Sequence, residues 1–115
     1  MQAERRFYKR YPVSFKFQLI VNDRTYTNEA LNLSSDGIQM ISDMECAELL
    51  NQSENNSLAC QILLDLNDNA LPITIDCRVV VNRRLSQIKY LIGLRFIGVD
   101  QAKQQLIEQY IQKSI

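Results

Sequence analysis

The chain has 115 residues, 46% of them apolar and 23% charged, with 13 Lys and Arg set against 13 Asp and Glu. A sequence of this size and mix folds as one domain with its own core, and wholesale disorder is excluded. Histidine is absent, which removes a Ser-His-Asp triad, a Cys-His pair and any histidine metal ligand from consideration.

Taken in chain order, the opening MQAERRFYKRYP is dense in charge and has no apolar stretch of the kind a signal peptide carries. Tyr11 precedes Pro12, which biases it to extended geometry, so residues 1–12 read as a flexible basic arm ahead of a domain over 13–115. Residues 13–21 alternate, with Val13, Phe15, Phe17, Leu19 and Val21 on one side and Ser14, Lys16 and Gln18 on the other, which predicts a half-buried strand. Asn22-Asp23 forms a turn. A second strand is predicted over 25–33, a turn at Ser34-Ser35-Asp36-Gly37, and a third strand over 38–41. Ser42-Asp43-Met44-Glu45 matches a capping box with Ser42 as the cap, followed by a short helix carrying Cys46, Ala47, Leu49 and Leu50.

Residues 51–57 are polar and read as a loop, 58–66 as a strand, and Asn67-Asp68-Asn69 as a turn. From residue 73, Ile73, Ile75, Cys77, Val79 and Val81 alternate with Thr74, Asp76, Arg78 and Asn82, and a last strand covers 90–97. Asp100 caps a final helix on which Ala102, Leu106 and Tyr110, with Ile107 and Ile111 one step round, form an apolar stripe. That stripe can cover one end of its own domain, the commoner arrangement, or meet a partner. Six short strands at turn-punctuated spacing and a C-terminal helix make an all-β chain, a small six-stranded antiparallel β-barrel. No run approaches the ~18 apolar residues of a membrane span. Cys46, Cys60 and Cys77 have no metal-ligand spacing and read as reduced, buried apolar residues.

The zero net charge conceals three blocks. Residues 1–24 hold six bases and two acids, residues 25–77 nine acids and no base, and residues 78–115 seven bases and two acids. The acidic middle argues against a barrel that wraps DNA, RNA or single-stranded nucleic acid, which needs an extended basic face. Four of the N-terminal bases fall within residues 5–10, a dense guanidinium cluster suited to an anion. An enzyme is the weakest reading, because no paired acid–base constellation appears.

Two short motifs stand out. In Arg5-Arg6-Phe7-Tyr8-Lys9-Arg10, Arg6 and Arg10 share a face whether the arm is helical or extended. In Asn32-Leu33-Ser34-Ser35-Asp36-Gly37, Gly37 permits a positive φ, Asn32 offers an amide to a base edge and Ser34 a hydroxyl to a phosphate or base. Their order, with Val79-Val80-Val81, Gly93-Leu94-Arg95-Phe96 and the last helix, resembles the PilZ domain over essentially the whole chain.

That resemblance implies a six-stranded antiparallel barrel that binds cyclic di-GMP and has no catalytic residue, metal or cofactor. By position, Arg6 and Arg10 are the paired arginines of the arm, and Asn32, Ser34 and Gly37 the motif on the barrel surface. Asn32 stands where the family often has Asp, and offers one oxygen acceptor to a guanine N1/N2 edge. Arg5, directly before the motif, resembles members that take up an intercalated pair of ligand molecules rather than one. Arginine suits the ligand, since its fork matches guanine O6/N7 and phosphate oxygens and its plane stacks on a base. Ordering an arm of this length from random coil costs roughly 1–2 kcal/mol per residue, so the arm is partly ordered beforehand or buries Phe7, Tyr8 or Tyr11 on closing. The expected output is a clamped arm whose new surface a protein effector reads, in a cytoplasmic monomer or weak homodimer with no membrane span. The competing reading is a PilZ-like scaffold that acts through protein contacts without ligand.

Overall fold

The computed structural model describes residues 9–50, 59–65 and 72–114. Its elements are β1 (Tyr11–Val21), β2 (Arg24–Ser34), β3 (Gly37–Ser42), α1 (Met44–Leu50), β4 (Ala59–Leu64), β5 (Ile73–Arg84), β6 (Tyr90–Ile97) and α2 (Gln101–Ser114). The six strands close into an antiparallel barrel in the order β1-β2-β3-β6-β5-β4, so no strand is left with an unpaired edge. Arg5, Arg6, Phe7 and Tyr8, the loop expected at 51–57, the strand ends at Leu58 and Leu66, and the turn at 67–69 lie outside the described residues.

Period-two alternation builds the interior. Leu19 of β1, Leu33 of β2, Ile38 and Met40 of β3, Ile62 and Leu64 of β4, Ile75 of β5 and Ile92 of β6 are all fully buried and meet inside the barrel. Each such side chain contributes about 1.5–3 kcal/mol by leaving water. In β5 the alternation holds through Val80, which faces outward as its parity requires, and is lost after the register shift between Val79 and Val81, where Val81 and Asn82 are both half-buried. The β1–β2 connection is a two-residue hairpin. Asn22 (φ 51°) and Asp23 (φ 64°) both take left-handed geometry, the turn whose twist suits flanking strands.

The first strand begins earlier than the sequence suggests. Tyr11 pairs with Leu33 and Pro12 with Asn32, and the ladder shifts register between Pro12 and Phe15. Pro12 therefore does not separate an arm from β1. It lies inside the strand near its start, beside the shift, where a missing N–H is tolerated.

Each barrel end is covered by a helix. Asp43 caps α1, its Oδ1 accepting from Cys46 N at 2.9 Å. This corrects the expected capping box by one residue, because Ser42 is still paired to Tyr90 as the last residue of β3. Cys46, Ala47 and Leu50 point inward. At the other end Asp100 caps α2 as expected, Oδ1 accepting from Lys103 N at 2.8 Å. The buried face of α2 is rotated from the expected stripe. Ile107 and Ile111 are buried, Tyr110 is half-buried with its ring edge-on to Phe15 at 5.4 Å, and Ala102 faces solvent. Lys103 takes the inner edge and donates from Nζ to Thr74 O at 2.6 Å.

All three cysteines are free and buried, with Cys60 directly opposite Cys77 across β4 and β5. Burial pushes the Cys46 thiol up to about 11, Cys60 to about 12 and Cys77 higher still. A thiol whose folded pKa lies above its unfolded value near 9 adds stability that is complete below pH 9 and drains away as pH rises toward the folded value. At pH 8, therefore, a disulfide-exchange dye finds no fast-reacting thiol in the folded protein and all three after guanidinium unfolding. The urea midpoint falls as pH climbs above 9. A fast-reacting native thiol at pH 8 contradicts this burial.

Candidate functional site

The site grows from the turn between β2 and β3. Ser34 is fully buried, and its hydroxyl donates to Asp36 Oδ1 at 2.5 Å while accepting from Asp36 N at 3.3 Å. The Asp36 carbonyl in turn accepts from Phe96 N at 2.9 Å, which ties the turn to β6. Sequence reasoning offered Ser34 to a ligand and gave Asp36 only a place in the turn. The structure engages the two with each other, so that Ser34 shapes the turn from inside.

Gly37 is required for a reason the sequence does not reveal. Among the described glycines only Gly98 has a positive φ, at 61°, so the expected left-handed geometry at Gly37 is corrected. Gly37 lies opposite Arg95 in the β3–β6 ladder, and a Cβ there would stand 2.6 Å from Leu94 O. Close approach of two backbones, not turn geometry, selects glycine.

Asn32 is the junction. The β2–β3 register shifts between Ala30 and Asn32, a bulge of the kind that re-aims a side chain beside a site. Asn32 Oδ1 accepts from Arg10 Nη1 at 3.2 Å, and Asn32 Nδ2 donates to Gln39 Oε1 at 2.7 Å. An arginine 22 residues earlier in the chain is thereby brought onto the barrel surface. Arg10 is half-buried, and its Nε is buried with no hydrogen-bond partner among the described residues. Lys9 Nζ lies 5.5 Å from the Tyr11 ring centroid, within cation–π range.

Arg10, Asn32 and Gln39 form a chain of planar polar groups with capacity to spare. Asn32 keeps a second lone pair and a second N–H, and the Arg10 fork keeps further donors. Such groups match the edge of a guanine or the oxygens of a phosphate. Exposed Arg95 and Arg78 face each other across β6 and β5, beside Gly37, and add positive charge to the same outer surface. Arg10, Asn32, Ser34 and Gly37 are thus brought into one neighbourhood, while Arg5 and Arg6 lie outside the described residues. Gln39, Asp36 and Arg95 were not singled out as site residues. Strand parity from Gly37 puts Gln39 outward, which is the one signal that pointed to it.

A family model described as the PilZ domain matches residues 4–113. No curated protein matches the chain by sequence. Among solved structures, Bacillus subtilis inhibitor of motility (MotI/DgrA) superposes with a TM-score of 0.75 at 16% identity, over 97% of this chain and 51% of that one. The PilZ domain of YcgR from Escherichia coli, solved with c-di-GMP, gives 0.71 at 14% identity over 96% and 91%. The K. pneumonia MrkH–c-di-GMP complex gives 0.69 at 20% identity over 97% and 53%. The chain spans about half the length of the first and last of these.

Proposed function

The chain belongs to the PilZ domain family, and from that membership we propose that it is a non-enzymatic receptor for cyclic di-GMP. The observation that carries this reading is the hydrogen-bonded chain from Arg10 through Asn32 to Gln39, which joins the arginine motif to the barrel motif. Arg10 and, by its place in the motif, Arg6 take the guanine and phosphate edges. Asn32 presents its carboxamide to a guanine, and Ser34, Asp36 and Gly37 hold the turn in shape. Two solved relatives of the same fold carry c-di-GMP, which supports the choice of ligand.

The output is a rearrangement ahead of β1 on ligand binding that presents a new surface to a protein effector in the cytoplasm. No described helix is long and apolar enough to cross a membrane.

Isothermal calorimetry with cyclic di-GMP tests the assignment. Saturable heat at micromolar protein is expected, and no heat at tens of micromolar protein makes the chain a scaffold acting through protein contacts. Arg5 is assigned to the second of two intercalated ligands, so Arg5→Ala lowers the calorimetric stoichiometry from two to one. An unchanged ratio removes Arg5 from the site.

A further inference from the structure

β3 runs from Gly37 beside the proposed ligand site to Ser42 at the far end of the barrel, where α1 begins. At that far end two surfaces of opposite charge flank α1. On the β6 side stands the tip of the β5–β6 hairpin. Arg83, Arg84 and Lys89 are exposed there, with Leu85 at 49% and Ile88 at 67% exposure. The whole stretch 77–99 holds five bases and no acid.

The tip is held in shape. Leu85 N and Ser86 N donate to Lys89 O at 2.8 and 3.1 Å, and Ser86 Oγ accepts from Lys89 N at 3.1 Å. Arg84 Nε donates to Ser86 O at 2.9 Å. An ordered loop therefore presents two aliphatic side chains to water, ringed by cations.

On the β2 side of α1 lies a groove of about 380 Å³ lined by Arg24, Tyr26, Met44, Glu45, Glu48 and Leu49. Glu45 and Glu48 are exposed on its rim, and Met44 is 45% exposed. Asp23 and Asp43, also exposed, keep this side of α1 acidic despite Arg24.

We propose that these two surfaces are the halves of one self-complementary interface, through which a second copy of this chain docks by its β5–β6 tip into the Glu45/Glu48 groove. Twofold pairing makes the contact twice, because tip and groove belong to the same barrel end. Ile88 enters toward Met44 and Leu49 while Arg83, Arg84 and Lys89 meet Glu45 and Glu48. The acids around α1 decide between occupants. They complement the tip of another copy, whereas an anionic bilayer matches the bases of the tip alone and leaves the groove unused. The surfaces lie away from Arg10 and Asn32, so the inference stands apart from the choice of ligand.

Sedimentation equilibrium of the full chain, from micromolar to sub-millimolar, tests it. A monomer–dimer equilibrium is expected that weakens as salt rises, as screening of exposed charges requires. Ile88→Asp, the pair Arg83→Glu with Arg84→Glu, and the pair Glu45→Lys with Glu48→Lys each weaken it by at least about tenfold, while thermal melts stay cooperative. Combining the two charge reversals restores the dimer. A wild-type chain that stays monomeric throughout overturns the proposal, as does a failure of the combined variant to recover. So does binding to phosphatidylglycerol vesicles that needs the tip and ignores Glu45 and Glu48.

Discussion

Arg10→Ala lowers the affinity for cyclic di-GMP by about 5- to 150-fold and leaves the barrel folded. The magnitude follows from one bidentate contact to a guanine, worth ~1–3 kcal/mol of discrimination, with a tenfold change for every ~1.4 kcal/mol. Arg10 is placed for it. Its Nη1 already lies 3.2 Å from Asn32 Oδ1, and its Nε has no partner among the described residues. Truncation removes one part-buried hydrogen bond, for which about 1 kcal/mol of stability is the ordinary loss. Arg10→Lys is nearly as damaging to binding, because an ammonium is a point charge that cannot reproduce the fork. Calorimetry paired with a circular-dichroism melt separates the two effects. Loss of secondary structure in Arg10→Ala makes Arg10 a structural residue instead.

The second large effect is on the fold. Gly37→Val drops the melting temperature by roughly 5–15 °C, the equivalent of ~1–3 kcal/mol of overpacking in a domain this size. A Cβ at residue 37 meets Leu94 O at 2.6 Å. That atom is backbone, so the β3–β6 seam must open for the side chain to fit. The Ser34–Asp36–Phe96 linkage crosses the same seam, so ligand affinity falls with stability. Gly98→Ala is the comparison, losing stability without opening the seam and so without losing ligand affinity. Nothing lies within 4 Å of its Cβ, and its φ of 61° imposes only local strain, about 1–2 kcal/mol. If differential scanning calorimetry finds Gly37→Val melting with the wild type, the close approach described for β3 and β6 is not there.

Much of this architecture can be read from residue order, because burial on one face writes itself into alternation. Phe17, Leu19 and Val21 in β1, and Ile75, Cys77 and Val79 in β5, are inward as their period demands. Asp100 caps α2 as its position before an amphipathic run requires. The errors arise where pairing outranks a local signal. Ser42 and Asp43 are both good caps, and only the pairing of Ser42 with Tyr90 leaves Asp43 to start α1. Ala102 looks apolar and inward, yet Lys103 takes the inner edge because its long stem packs while its ammonium reaches Thr74 O.

The site is legible in a different way. Arg10 and Asn32 are named by motif, but their contact depends on β1 starting at Tyr11 and on a bulge near Asn32. Gln39 becomes a partner of Asn32 only once that register is set. The reason for Gly37 lies in a neighbouring strand almost sixty residues away, which no local reading of the hairpin supplies.

The most direct measurement is a crystal structure of the protein bound to cyclic di-GMP. The account predicts the ligand on the outer surface at the β2–β3 turn, with a guanine or phosphate edge on the Arg10 guanidinium and the Asn32 carboxamide within hydrogen-bonding distance. A dinucleotide seated elsewhere on the barrel, with Arg10, Asn32 and Gln39 still engaged only with one another, contradicts it.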